Sequence, residues 1–289
     1  MSDAPAPDQT DRMQDMPQPD PVSGVRALFD TVAVDYDQSG VAFFGPIAGR
    51  LVELLDVRAG EAVLDVGCGR GAVTLPVALA AGPTGSVTAV DVSPAMVEHT
   101  RSAVRARQLD QVTVEVMDAT RPTLTEASFD VLASSLVLFF LPDPGAALGR
   151  WLRLLRPGGR LGITTFGEAD PVFEALYELF TPYIPPQALD PRSVSRDSPF
   201  LSDASMERLV SACGGTDVRT VRQRLAVRFQ DTEQWRRWTM STGQRMFWGR
   251  MDDAQRGAVL SDARQILESA QKDGGVVVRQ DVRHTLARA

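Results

Sequence analysis

Lysine is nearly missing from this 289-residue chain: of its 30 basic residues, all but Lys272 are arginine. That bias follows from GC-rich coding and needs no functional cause. Histidine and cysteine are equally scarce. His99, His284, Cys68 and Cys213 are the whole supply, and they form neither a CxxC pair nor a His/Cys/carboxylate grouping with metal-ligand spacing. No bound metal and no disulfide framework are therefore expected, and a reducing cytoplasm is the expected location. No apolar run reaches the ~18 residues of a membrane helix, and the N-terminus lacks the basic and apolar regions of a signal peptide. A net charge of -7 argues against nucleic acid and anionic membrane as partners, since both select clustered positive charge.

What is present is an ordinary globular composition, 44% apolar, behind a polar leader. Residues 1–22 are rich in Pro, Asp and Gln and poor in apolar side chains, so they are expected to be disordered. Two amphipathic stretches follow, VRALFDTVAVDYD and FFGPIAGRLVELLDV, both with helical periodicity. From residue 58 to 167 strands and helices alternate. AVLDVG, SVTAVD, VTVEVMD, FDVLASSLVLFF and RLGITTF read as strands. Ser93-Pro94 and Asp143-Pro144 each supply an N-cap followed by proline at the first helical position. Alternation of this kind means a parallel sheet covered by helices on both faces. Residues 168–289 break the pattern. DPVFEALYELFTPYI, SDASMERLVSACGG and the aromatic TEQWRRWTMSTGQRMFWGRM read as helices, and DVRTVRQRLAVRF and VVVRQDVRHTLARA as strands.

The informative stretch is EAVLDVGCGRGAVTLPVALAAGPTGSVTAVDVSP, Glu61 to Pro94. Its glycines stand at 67, 69 and 71, and Ala72 occupies the place of the third glycine in a GxGxxG dinucleotide fingerprint. Asp65 lies two residues ahead of Gly67, and a carboxylate there suits a cationic ligand better than a diphosphate.

Together these residues resemble the class I S-adenosylmethionine-dependent methyltransferases, over roughly Phe29 to Phe166. The resemblance implies a Rossmann-like, doubly wound α/β fold with a seven-stranded, mostly parallel sheet and a helical lid. On that reading residues 23–57 are lid helices, 58–167 the S-adenosylmethionine-binding core, and 168–289 substrate lid helices with strands completing the sheet. VLDVGCGRG is similar to the first motif, so Asp65, Gly67, Cys68 and Gly69 are implied to hold the amino-acid end of the cofactor. Asp91, with Val92, matches the acid that grips the ribose, and Met96 the residue lying against adenine. Asp118 and Ala119 match the pair that reads the adenine edge, and Ser134 and Ser135, on the fourth strand, are implied to lie by the sulfonium. Tyr36-Asp37 resembles the tyrosine-acid pair closing over the cofactor in the subgroup that includes ubiquinone-pathway enzymes.

The implied activity is methyl transfer to an O, N or C atom of a small, hydrophobic or aromatic metabolite, with a homo-oligomer left open. Phe43, Phe44, Phe139, Phe140 and Trp238 are the candidate acceptor pocket. A cyclase or a non-transferring cofactor-binding protein on the same fold is an alternative, and a nicotinamide-dependent oxidoreductase a more distant one. Many members of the subgroup carry histidine after the fourth strand, whereas this chain reads Leu136-Val137-Leu138-Phe139-Phe140-Leu141. A histidine base is thereby excluded at this point, leaving a carboxylate or tyrosine from the lid, such as Tyr36 or Tyr177, an acceptor already nucleophilic at neutral pH, or a carbon nucleophile such as an alkene or enol.

Several residues also have plainer readings. Cys68 suits packing better than nucleophilic chemistry, because nothing near it in sequence lowers its pKa. His99 reads as lying on the solvated side of its helix. Arg219, Arg222, Arg224 and Arg228 alternate with apolar residues as the wet face of a strand does.

Overall fold

The computed structural model describes residues 21–184, 198–271 and 275–289. Seven strands form one sheet: β1 (Ala62–Val66), β2 (Ser86–Asp91), β3 (Val112–Val116), β4 (Phe129–Ser135), β5 (Leu155–Ala169), β6 (Thr216–Phe229) and β7 (Val276–Arg288). Their order is β3-β2-β1-β4-β5-β7-β6. The first five are parallel, and β7 runs antiparallel to both β5 and β6. Because β1 pairs with β2 on one side and β4 on the other, strand order reverses beside β1. Ligand crevices open at such a switch point, beyond the carboxyl ends of the strands.

Helices α1 (Pro21–Val32) and α2 (Phe44–Leu55) precede the sheet. Then come α3 (Thr74–Ala81), α4 (Pro94–Ala106), α5 (Pro144–Leu154), α6 (Pro171–Glu178) and α7 (Asp203–Ala212). Alternating strand residues split the core between the two faces. Val63, Val87 and Val131 pack under α2, α3 and α4, whereas Leu64, Leu132 and Leu161 pack under α5 and α7. Three helices start on the device foreseen at two of them, an oxygen cap followed by proline. Ser93 Oγ accepts from Met96 N at 3.1 Å, Asp143 from Ala146 N at 2.8 Å, and Asp170 from Phe173 N at 2.9 Å.

The last part of the chain builds a third, aromatic core with α6, α8 (Thr232–Met240), α9 (Arg245–Trp248) and α10 (Asp253–Ser269). Here the sequence-based reading needs correction in four places. The fourth strand stops at Ser135, because Leu136 takes φ 60° and Leu138–Phe140 form a 3-10 turn. The expected helix over 232–251 is two helices, since the Ser241 and Thr242 hydroxyls turn back onto the carbonyls of Trp238 and Thr239 at 2.8 and 3.1 Å, just ahead of Gly243. The 17-residue α10 was not foreseen, although Asp252 and Gln255 form a capping box at its start. Finally, α1 begins at Pro21, inside the stretch expected to be disordered; the rest of that expectation, residues 1–20, lies outside the described residues.

Candidate active site

The turn after β1 is set by backbone geometry that favours glycine. Gly67, Gly69 and Gly71 have φ of 76°, 52° and 91°. Gly67 N and Cys68 N both donate to Val90 O, at 2.8 and 3.0 Å, which ties the turn to the end of β2. At that end Asp91 bridges two elements. Its Oδ2 accepts from Gly69 N at 2.8 Å and its Oδ1 from Ser93 N at 2.9 Å. Thr100 from α4 adds a bond to Gly69 O at 2.6 Å. Burial pushes the Asp91 pKa up, against the lowering effect of those backbone donors.

Asp65 lies behind this turn, 1% exposed. Its Oδ2 accepts from the Thr74 hydroxyl at 2.6 Å, while its Oδ1 is buried with no partner among the described residues. Desolvation pushes this carboxyl up to about 7. A buried carboxylate oxygen without a donor is costly, and a cationic ligand group would relieve the cost.

The N-terminal segment closes over the turn through polar ties that patterning did not reveal. Arg70 Nη1 donates to Ala33 O and Val34 O at 2.6 and 2.8 Å, and Asp30 Oδ1 accepts from Ser93 Oγ and Ala95 N at 2.6 and 3.2 Å. Tyr36 lies half-buried behind these ties. Desolvation, then the nearby Asp37 and Asp91 charges, raise its phenol far above the ordinary tyrosine range, so Tyr36 is no base at neutral pH. Burial also lifts Asp37, to about 6, against the pull of Arg70.

Two adjoining hollows result. A cleft of about 690 Å³, open mouth included, has Gly67, Gly69, Asp91 and Val92 along one wall and Met96, Asp118 and Ala119 along another. Trp151 Nε1 holds the Ala119 carbonyl at 2.8 Å, and Thr120 N donates to Asp118 Oδ1 at 2.7 Å, so the loop after β3 is fixed. Beside the cleft lies an aromatic cavity of about 930 Å³, lined by Phe43, Phe44, Phe139, Phe140 and Trp238 among others. Phe29, Tyr36, Leu136 and Phe140 belong to both walls. The cleft and the cavity therefore meet.

Three of the positions singled out from sequence stand off the cleft wall: Asp65, Cys68 and Ser134. Ser134 points the other way, its hydroxyl donating to Val66 O at 3.1 Å, and strand alternation puts Ser135 on the cleft instead. Cys68 is buried, and desolvation pushes its thiol well up, as expected of a packing residue. Tyr177 lines the aromatic cavity. Sequence reasoning missed Val22, Val25 and Phe29 of α1, and Phe166, Phe173, Gln244 and Gln280 of the cavity. The apolar stripe of α1 was readable. The polar positions were not, because a glutamine carries no pattern of its own.

Neither histidine lines either hollow. His284 is fully buried between Thr164 Oγ1 at 3.2 Å and Gln223 Oε1 at 2.9 Å, and burial lowers its pKa to about 4. Between that value and the ordinary one near 6.5, only the unfolded chain binds this proton, so the contribution is lost as pH falls through the window. Asp65 and Asp37, held high in the folded state, act in the opposite sense. Comparing wild type with His284→Gln in urea titrations from pH 4 to 7 isolates the histidine. The stability gained on raising the pH should be smaller in the variant by up to about 3 kcal/mol. Parallel curves would mean that His284 is not held neutral.

The comparisons agree with this geometry. The family described as a methyltransferase domain matches residues 64–163, which run from β1 into β5. Over 273 residues the chain is 33% identical to nocamycin O-methyltransferase of Saccharothrix syringae, covering 90% of this chain and 97% of that one. It is 40% identical over 171 residues to aklanonic acid methyltransferase DauC of Streptomyces sp. (strain C5), covering 57% of this chain and 76% of that one. Among solved structures, the YcgJ protein of Bacillus subtilis superimposes with a TM-score of 0.57 at 17% identity, over 84% of this chain and 97% of the other. The chain belongs to the class I S-adenosylmethionine-dependent methyltransferases. It is an enzyme that methylates a small molecule and uses S-adenosylmethionine as donor. The nicotinamide alternative is set aside.

Proposed function

We propose that the glycine-turn cleft seats S-adenosylmethionine and that the aromatic cavity presents a flat, hydrophobic natural-product intermediate to it, for methylation on oxygen. The observation that carries this reading is the shared wall of Phe29, Tyr36, Leu136 and Phe140, because donor and acceptor must meet in line. Asp65, with its partnerless oxygen, and the glycine turn suit the ammonium end of the donor. Asp91 suits the ribose, and Met96, Asp118 and Ala119 the adenine. Bound S-adenosylmethionine supplies an electrophilic methyl group, which the acceptor atom takes by displacement at carbon.

The chain's own part is positioning and exclusion of water. No Asp, Glu, His, Lys or Arg lines the aromatic cavity among the described residues, and the Tyr36 phenol is held protonated. Tyr177 is the remaining candidate base on that lining, so the methylated oxygen is one that Tyr177 deprotonates or one that ionises unaided, such as an enol or a carboxylic acid. Full-length similarity to an O-methyltransferase supports oxygen over nitrogen or carbon. The aromatic lining and the net charge of -7 favour a small acceptor over nucleic acid. Among the described residues no helix is long and apolar enough to cross a membrane. A cytoplasmic location rests on the two free cysteines. The test is S-adenosylhomocysteine release with a panel of enolic, phenolic and carboxylic polycycles. Donor binding without release on any of them would favour a non-transferring role.

The Asp65 assignment makes its own prediction. A carboxyl with a pKa of about 7 must ionise to receive a cation, so donor affinity should fall as pH drops through neutrality. Calorimetry should find the dissociation constant about tenfold higher at pH 6 than at pH 8, with proton release on binding. Asp65→Asn should flatten the dependence. A pH-independent wild type would remove Asp65 from the donor site.

A further inference from the structure

Gln280 is an uncharged polar residue in the apolar face of β7, flanked on that face by Val278 and Val282. It is 2% exposed and lines the aromatic cavity. Its Nε2 donates to three backbone carbonyls, Gly167 O at 3.1 Å, Glu168 O at 3.3 Å and Asp281 O at 2.9 Å. All three neighbours only accept, so the amide can stand only one way round, with its NH2 on that side. Oε1 is left to the cavity, and no group among the described residues donates to it. Trp238, 4% exposed, and Gln244 also line the cavity, and the Trp238 indole N–H and Gln244 Oε1 are buried with no partner among the described residues. Cavities lined by aromatics are ordinarily furnished with a few polar groups that fix ligand orientation. Among the described residues these groups have no partner.

Their place on the sheet fixes the scale of the occupant. The cleft and cavity meet at Leu136 and Phe140, just past the end of β4, while Gln280 sits on β7, with β5 between. Two strand spacings separate them across the sheet, about 10 Å, and the pairing register adds an offset of about three residues along β7. We propose that Gln280 is a specificity residue for the acceptor: its Oε1 receives a hydroxyl at the end of the acceptor remote from the methylated atom. The acceptor is accordingly longer than a single ring and oxygenated at both ends. This rests on the methyl-transfer reading of the two hollows.

The test uses the full chain preloaded with S-adenosylhomocysteine and two flat probes, 2,6-dihydroxyanthraquinone and 2-hydroxyanthraquinone, titrated by fluorescence or calorimetry. Wild type should bind the dihydroxy probe about tenfold more tightly, because the monohydroxy probe leaves Oε1 unmatched when the other end is seated. Gln280→Met should lose the preference while keeping affinity for the monohydroxy probe and for S-adenosylhomocysteine. A merely structural role would weaken both probes alike. Should Gln280→Met fail to fold, 2-hydroxy-6-methoxyanthraquinone on wild type replaces it. That probe offers an acceptor but no donor at the distal oxygen and should lose the same factor. Equal affinities in wild type, a preference that survives in Gln280→Met, or failure of every anthraquinone to bind the preloaded chain each overturn the inference. Failure to bind S-adenosylhomocysteine at all would instead overturn the reading of the cleft.

Discussion

Gly67→Val should abolish binding of S-adenosylmethionine and lower the melting temperature as well. Gly67 has φ 76°, a region that L-residues enter at a cost of roughly 1–2 kcal/mol and β-branched ones with still more strain. A Cβ there would also overlap the Cγ2 of Val137, which stands on the cleft wall after β4. Neither atom can retreat easily, because Gly67 N is tied to Val90 O and Leu136 N to Thr164 O at 3.0 Å. The clash therefore lies within the protein itself, apart from any space the ligand needs. Gly69→Ala is the control: nothing lies within 4 Å of its added Cβ, so only the φ of 52° is strained, and the variant should fold and bind more weakly. Thermal shift with S-adenosylhomocysteine reads both. A folded Gly67→Val chain with normal ligand stabilisation would refute the assignment of this turn as the donor cradle.

Asp91→Ala should raise the dissociation constant for S-adenosylmethionine by at least ten- to a hundredfold, since hydrogen bonds to a charged group are each worth about 1.5–3 kcal/mol. Both carboxylate oxygens already accept backbone N–H groups, yet each retains a further lone pair for a ligand hydroxyl. The alanine variant also strands Gly69 N and Ser93 N, so the turn itself should loosen and the melting temperature fall by several degrees. Measuring affinity by calorimetry well below that temperature separates the two effects. Asp91→Asn retains one acceptor oxygen and should fall between wild type and alanine. If affinity holds while stability drops, Asp91 serves the turn and not the ligand.

The fold was largely written in local pattern. Period-two apolar runs, cap-and-proline helix starts and the glycine turn are signals carried by neighbouring residues, and they suffice for the parallel core and its crevice. The acids at 65, 91 and 118 were legible for the same reason, each standing at a strand end where side-chain direction is set by the pleat. Errors gathered where that local logic fails. Ser134 and Ser135 both read as lying by the sulfonium, and only the pleat of β4 decides between them, because a shift of one residue in a strand reverses the face. The run LVLFF reads as continuous strand, and only the left-handed Leu136 reveals the turn that swings Phe139 and Phe140 toward the acceptor cavity. The aromatic stretch after Thr232 shows helical spacing throughout, and nothing in the spacing says that two hydroxyls and a glycine divide it.

Thus the sequence alone determined the doubly wound sheet and the donor class, and it named most of the residues that line the glycine-turn cleft, because these are signalled by residues close in the chain. Only the tertiary structure decided how the N-terminal segment is clamped over the cleft by Arg70 and Asp30, and which polar atoms of the aromatic lining have no partner among the described residues. The reason is physical. Gln280, Trp238 and Tyr36 meet around one cavity from widely separated parts of the chain, and burial, desolvation and unsatisfied hydrogen bonding exist only once those parts are packed together.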